Sequence, residues 1–156
     1  LDAVVTMMPD DKSVDEFMFG TNGVAKDLKK GSLLIDCSTI GPVAAKRLFE
    51  KAKSAGHVFI DAPVSGGVKG AEEGRLTFMI GAPSTESSAE SKTILTPMGA
   101  NFFDCGGPSM GQTAKIANNL ALGIQMQSII EAMIYGERMG MDLAVLKEVM
   151  SKATSR

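Results

Sequence analysis

Short apolar and β-branched runs recur through the first two thirds of the chain, and helical patterns separate most of them. Asp2–Met8 is the first, with Ala3, Val4 and Val5 in it. Ser32–Cys37, carrying Leu33, Leu34 and Ile35, is the second, and His57–Ala62, Leu76–Ile80 and Asn101–Cys105 follow. Continuous apolar runs of this length predict strands buried on both faces. Ser13 with Glu16 three residues on resembles a capping box for a helix to about Phe19, ended by Gly20. Pro42 stands where a helix to Ala55 begins, and Gly56 closes it. A third helix is predicted over Glu86–Leu95. Strand alternating with helix predicts α/β layers around a mostly parallel sheet.

The character changes at Gly106. From Met110 to Met139 the pattern is helical and strandless, which at 1.5 Å per residue makes a helix about 45 Å long. Apolar residues between Leu120 and Ile134 cover most of its circumference, so the sequence predicts burial on nearly all sides, against a partner chain or against sequence outside this stretch. Asn118, Asn119, Gln125, Gln127 and Glu131 interrupt it too often for a membrane span. Asp142 then caps a helix carrying Leu143, Leu146, Val149 and Met150. The expected organisation is an α/β domain over 1–107 and the start of an all-helical domain over 108–156.

Charge and cysteine usage exclude several function classes. Sixteen Lys and Arg against 18 Asp and Glu leave a net charge of -2, which favours neither nucleic acid nor an anionic membrane as partner. Any anionic ligand must be met by locally placed amides or single cations. Cys37 and Cys105 lie far apart and His57 is the only histidine, so no zinc or iron–sulfur site is expected. Both cysteines are expected as buried thiols at strand ends. No signal segment is visible, and the opening at Leu1 directly on an apolar run reads as a fragment of a longer chain.

Three stretches could carry chemistry. Asp36-Cys37-Ser38-Thr39 ends a strand in two hydroxyls. In Asp61-Ala62-Pro63-Val64-Ser65-Gly66-Gly67 a hydroxyl and successive unobstructed N–H groups could nest a carboxylate. The residues from Val64 to Arg75, with Gly66, Gly67, Gly70 and Gly74, are expected as a helix-free loop at the ligand-binding edge of the sheet. Finally, Lys115 and Asn119 share a helix face, and Gly111 on that face leaves room for a close approach. Each stretch has a plainer role: a turn and cap for Ser38-Thr39, a tight turn for Ser65-Gly66-Gly67, an ordinary surface lysine for Lys115. Taken together they could hold a small anion with a lysine over its reacting carbon, and a lysine can serve there as general acid or base. With one histidine heading a strand, no Ser-His-Asp set is available.

Asp36–Ile40, Asp61–Val68 and Gly111–Asn119 resemble, block by block and in order, the signature segments of the β-hydroxyacid dehydrogenases. Leu76–Gly81 and Glu131-Ala132-Met133 resemble them too, so the likeness covers essentially the whole chain. It implies a Rossmann-like sheet followed by a helical domain, and oxidation of a small 3-hydroxy acid with NAD or NADP. Lys115 would be the catalytic acid/base and Asn119 would orient it or the substrate. Ser65, Gly66 and Gly67 would hold the substrate carboxylate. Met8, Pro9 and Ser13 would line the cofactor, with Thr39 near nicotinamide and substrate. A homo-oligomer, dimer or tetramer, is implied through the helical domain. The compartment would be the mitochondrial matrix in a eukaryote and the cytoplasm in a bacterium.

The sequence departs from that pattern at three places. The family's phosphate-cradling G-x-G-x-x-G belongs before the point where this chain starts, its helical domain runs past Arg156, and Ser13 stands where asparagine is expected. The stretch is therefore expected to hold the substrate and catalytic loops of an active enzyme while being inactive alone. The competing expectation is a non-catalytic binding or dimerisation module.

Overall fold

In the computed structural model, which describes residues 1–155, β1 (Ala3–Thr6) leads to α1 (Asp11–Phe19), β2 (Leu33–Asp36), α2 (Pro42–Ala55) and β3 (Val58–Asp61). β4 (Val64–Ser65), α3 (Gly67–Glu72), β5 (Leu76–Gly81), α4 (Thr85–Leu95) and β6 (Gly99–Gly106) follow, then α5 (Met110–Arg138) and α6 (Leu143–Lys152). The chain divides into two units, Leu1–Ile116 and Ala117–Arg156.

β2 organises the first unit. All four of its residues are buried, and they alternate between two cores as a strand's two-residue period requires. Leu33 and Ile35 join Ile60, Phe78, Ile80 and Leu95 on the face that α4 covers. Leu34 joins Phe59, Val14, Met18 and Leu48 on the face covered by α1 and α2. Each of these large side chains, fully buried, contributes roughly 1.5–3 kcal/mol. Local signals set the helix ends: Pro42 opens α2, Gly56 closes it at φ 79°, and Ser84 and Ser87 cap α4 reciprocally.

β1, β2 and β3 run parallel in a register that aligns Thr6, Asp36 and Asp61. β3 and β4 form one extended run against β5. Their antiparallel pairs, Asp61 with Gly81, Val64 with Phe78 and Ser65 with Thr77, keep a single register. β6 runs parallel to β5, with Phe78 and Phe102 stacked at 5.4 Å. The sheet is thus mostly parallel, reversed only where β5 meets β3 and β4.

Three local expectations change. Val64–Arg75 is not helix-free. Val64 and Ser65 pair with β5, and α3 follows; four glycines had masked a one-and-a-half-turn helix whose entry bends at Gly66 (φ 134°) and Gly67 (φ 61°). The cap of α1 is Asp10, whose carboxylate accepts from Ser13 N at 2.8 Å, so the Ser13–Glu16 box does not form. Cys105 is half-buried rather than buried. Most apolar side chains of α5 from Leu120 on are exposed within this chain, with Leu120 at 64% and Ile124 at 63%, where the sequence predicts cover from a partner chain or from sequence outside this stretch. In the second unit α6 starts at the Asp142 cap, which accepts from Ala144 N at 2.7 Å and Val145 N at 3.3 Å.

Candidate active site

The loops after β1, β2 and β3 and the first turn of α5 meet in one hydrogen-bonded network. Asp36 Oδ1 accepts from Thr6 Oγ1 at 2.9 Å, Ser38 Oγ at 2.6 Å and Ser38 N at 3.2 Å. The Ser38 hydroxyl accepts in turn from Met8 N at 2.7 Å, which holds the loop after β1 against the loop after β2. Burial raises the pKa of Asp36 against the opposing Ser38 and Thr6 hydrogen bonds. Its Oδ2 is buried without a partner among the described residues.

Gln112 continues the network. It is fully buried. Its Nε2 donates to Ser38 O at 2.7 Å, and its Oε1 accepts from Ile40 N at 3.0 Å and Gly41 N at 3.1 Å. Its backbone N donates to Asp61 Oδ2 at 2.8 Å, while Ser109 N donates to Asp61 Oδ1 at 2.7 Å. A carboxylate at the end of β3 thus caps a helix start far along the chain, satisfying two N–H groups the helix cannot. Ser109 is held there at φ 74°, a left-handed conformation unusual for a residue with a side chain. Burial lifts the Asp61 pKa to about 6 despite these N–H donors.

Two glycines make the approach possible. A Cβ on Gly111 would lie 2.7 Å from Asp61 O and still nearer Met79 O; one on Gly81 would lie 2.8 Å from Gly111 N. The room that Gly111 leaves is therefore filled by strand backbone, not by a ligand.

Met8 is half-buried and Pro9 exposed in the loop after β1; Thr39 is exposed between the pinned residues Ser38 and Ile40. Lys115 is half-buried, three residues after Gln112 in α5. Asp36, Gln112 and Asp61 join these stretches into one site. Ser65 is half-buried in β4, four positions beyond Asp61 on the same extended run; Gly66 and Gly67 are exposed and carry no side-chain cap for α3. Ser13 lies in the first turn of α1. Asn119 is exposed and belongs to the second unit.

Sequence reasoning assigned no role to Asp36, Asp61 or Gln112. Two carboxylates at strand ends and a glutamine next to a helix glycine were the available signal. Burial lifts the Cys37 thiol to about 12 and raises that of Cys105, so neither is an activated thiolate. Among the described residues no cluster could hold a metal ion, and no helix is long and apolar enough to cross a membrane.

Open α/β sheets bind ligands outside the carboxyl ends of their strands. Met8, Pro9 and Thr39 lie at that edge, Met8 half-buried and the other two exposed. The loop after β1 reads Met7-Met8-Pro9-Asp10, without a glycine, and is no pyrophosphate cradle. Sheet, loops and helix start together define an open α/β domain of the Rossmann-like class.

Residues 1–107 match the family model of the NAD-binding domain of 6-phosphogluconate dehydrogenase, and residues 109–156 that of the NAD-binding domain of NADP-dependent 3-hydroxyisobutyrate dehydrogenase. The chain belongs to this β-hydroxyacid dehydrogenase family. It is 44% identical over 155 residues to mitochondrial 3-hydroxyisobutyrate dehydrogenase of Bos taurus, covering 99% of this chain and 46% of that protein. It is 42% identical over 153 residues to 3-hydroxyisobutyrate dehydrogenase of Pseudomonas aeruginosa, covering 98% and 51%. The solved structure of the Mycobacterium tuberculosis 3-hydroxyisobutyrate dehydrogenase with L-serine superposes at a TM-score of 0.90 with 35% identity, covering 99% of this chain and 52% of that one. The chain spans about half the length of the curated relatives it matches.

Proposed function

We propose that this chain carries the catalytic and substrate loops of an enzyme that oxidises 3-hydroxyisobutyrate to methylmalonate semialdehyde, a step of valine breakdown, with NAD or NADP. The observation that carries this reading is the seat of α5. Asp61 and Gln112 fix its first turn at the carboxyl ends of β2 and β3, and Lys115 follows within one turn.

When bound, the nicotinamide supplies the hydride acceptor. Met8, Pro9 and Thr39 would line it, with Ser13 beyond them in α1. Lys115 takes the proton of the substrate hydroxyl as the carbon loses its hydride, which leaves a carbonyl. Asn119, four residues on in the same helix, orients the lysine or the substrate. Ser65 and the free N–H groups of Gly66 and Gly67 receive the substrate carboxylate. The family resemblance and the 3-hydroxy acid L-serine held by the mycobacterial relative support that substrate class.

The exposed apolar residues of α5 favour association of the helical part into a homo-oligomer. The same observation is the basis of the second reading, a non-catalytic dimerisation module. Reduction of tartronate or succinic semialdehyde is the alternative within the enzyme class. The compartment follows the source: the mitochondrial matrix in a eukaryote, in line with the word mitochondrial in the bovine relative's name, or the cytoplasm in a bacterium. The test is NADH or NADPH formation by the complete protein with 3-hydroxyisobutyrate, beside Lys115→Ala. Loss of the general base should lower the rate by roughly 10²–10⁴-fold with the urea midpoint unchanged. A Lys115→Ala variant as fast as wild type would remove this mechanism.

A further inference from the structure

We propose that Gln112 is a positioning residue for the reaction. Its carboxamide fixes the distance between the Thr39 loop and the helical turn that carries Lys115. This rests on the reading of Lys115 as acid/base and names the part that holds it in place.

The carboxamide is fully buried and all its principal contacts are made to one short segment. It donates to Ser38 O, and accepts from Ile40 N and Gly41 N. Thr39 is the residue enclosed by these contacts, and its own side chain is left exposed. Only a group with a donor and an acceptor on one rigid plane can do this. A carboxylate lacks the donor, and an alkyl chain lacks both. The other end of Gln112 is anchored independently, because its backbone N–H is held by Asp61. The residue therefore acts as a strut: one end is fixed to β3, the other to the loop after β2.

A displacement of reacting groups by about 1 Å costs a rate of about 100-fold, so a loosened strut should act on the chemical step before it acts on binding. The experiment uses the complete protein with Gln112→Glu and Gln112→Ala. Glutamate keeps the length and the two acceptor contacts but sets a carboxylate against Ser38 O. The expected result is a kcat roughly 10–100-fold lower with KM for the hydroxy acid within about threefold. In parallel, hydrogen exchange should show the amides of Ile40 and Gly41 losing protection in Gln112→Ala, while that of Ala62, bonded to Asp36 O, keeps its own.

A lowered urea midpoint with unchanged kcat in both variants would overturn the proposal, as would unchanged protection of Ile40 and Gly41. If wild-type protein oxidises no hydroxy acid, protection loss at Ile40 and Gly41 leaves the strut standing and the functional reading fails; retained protection removes the strut as well.

Discussion

Gln112 donates its backbone N–H to the Asp61 carboxylate at 2.8 Å, across 51 residues of sequence. This bond and its neighbour from Ser109 join the end of β3 to the start of α5. They seat the first turn of α5, three residues before Lys115, at the edge of the sheet.

Asp61 makes the stability of the chain depend on pH in a defined direction. Burial lifts its pKa from the ordinary 3.8 to about 6, so between these values the folded chain keeps a proton that the unfolded chain has lost. The stability this group contributes is complete below about pH 3.8 and is lost as pH rises through about 6, a change on the order of 3 kcal/mol. Asp61→Asn carries no proton there, so the stability of wild type relative to this variant should fall between pH 4 and 6. Urea midpoints of both proteins across that range check it. A difference that grows with pH contradicts the assignment.

Gly111→Ala tests the close approach. The added Cβ meets the backbone oxygens of Met79 and Asp61, neither of which can turn aside as a side chain would. Overpacking of this kind costs about 1–3 kcal/mol. The melting temperature should fall by roughly 2–12 °C for a chain of this size. Differential scanning calorimetry reads it directly, and a melting temperature equal to wild type would show that α5 is not seated where the bond lengths place it.

Ser38→Ala and Thr39→Ala should separate stability from chemistry. The first removes the acceptor of Met8 N and a donor to Asp36, leaving buried groups unpaired at about 1–3 kcal/mol. The second changes an exposed side chain and should leave stability within about 0.5 kcal/mol while raising KM for the nicotinamide cofactor. Equal effects of the two variants on the urea midpoint would count against the network.

Ser65→Ala should raise KM for 3-hydroxyisobutyrate by roughly 10–100-fold, the worth of one hydrogen bond to a charged group, with a smaller change in kcat. Steady-state kinetics of the complete protein decide it. An unaltered KM would move the carboxylate site away from β4.

Most of the layer architecture follows from local pattern. The runs at Leu33–Ile35 and Phe59–Ile60 are apolar on both faces because helices cover both. Pro42 and Gly56 bound α2 where backbone geometry demands them. Lys115 stood out through block resemblance to a family, since its helical spacing alone fits an ordinary surface lysine. The helix within Gly67–Glu72 was not, since its four neighbouring glycines argue for loop until Val64 and Ser65 find a partner in β5. Asp36, Asp61 and Gln112 were not legible as a set either. They lie as much as 76 positions apart, and nothing local distinguishes them from a strand-end carboxylate or a helix amide.

By itself, then, the sequence determined most of the strands and helices, which stretches carry hydroxyls, glycines and the lysine, and to which family they are similar. Those features are written in periodicities and short blocks. Only the tertiary structure decided that Gly111 admits strand backbone, that Asp61 caps a helix 48 residues away, and that Gln112 spans from that helix to the backbone on either side of Thr39. Such contacts come from long-range packing, in which a buried polar group must find its partner wherever the fold places one.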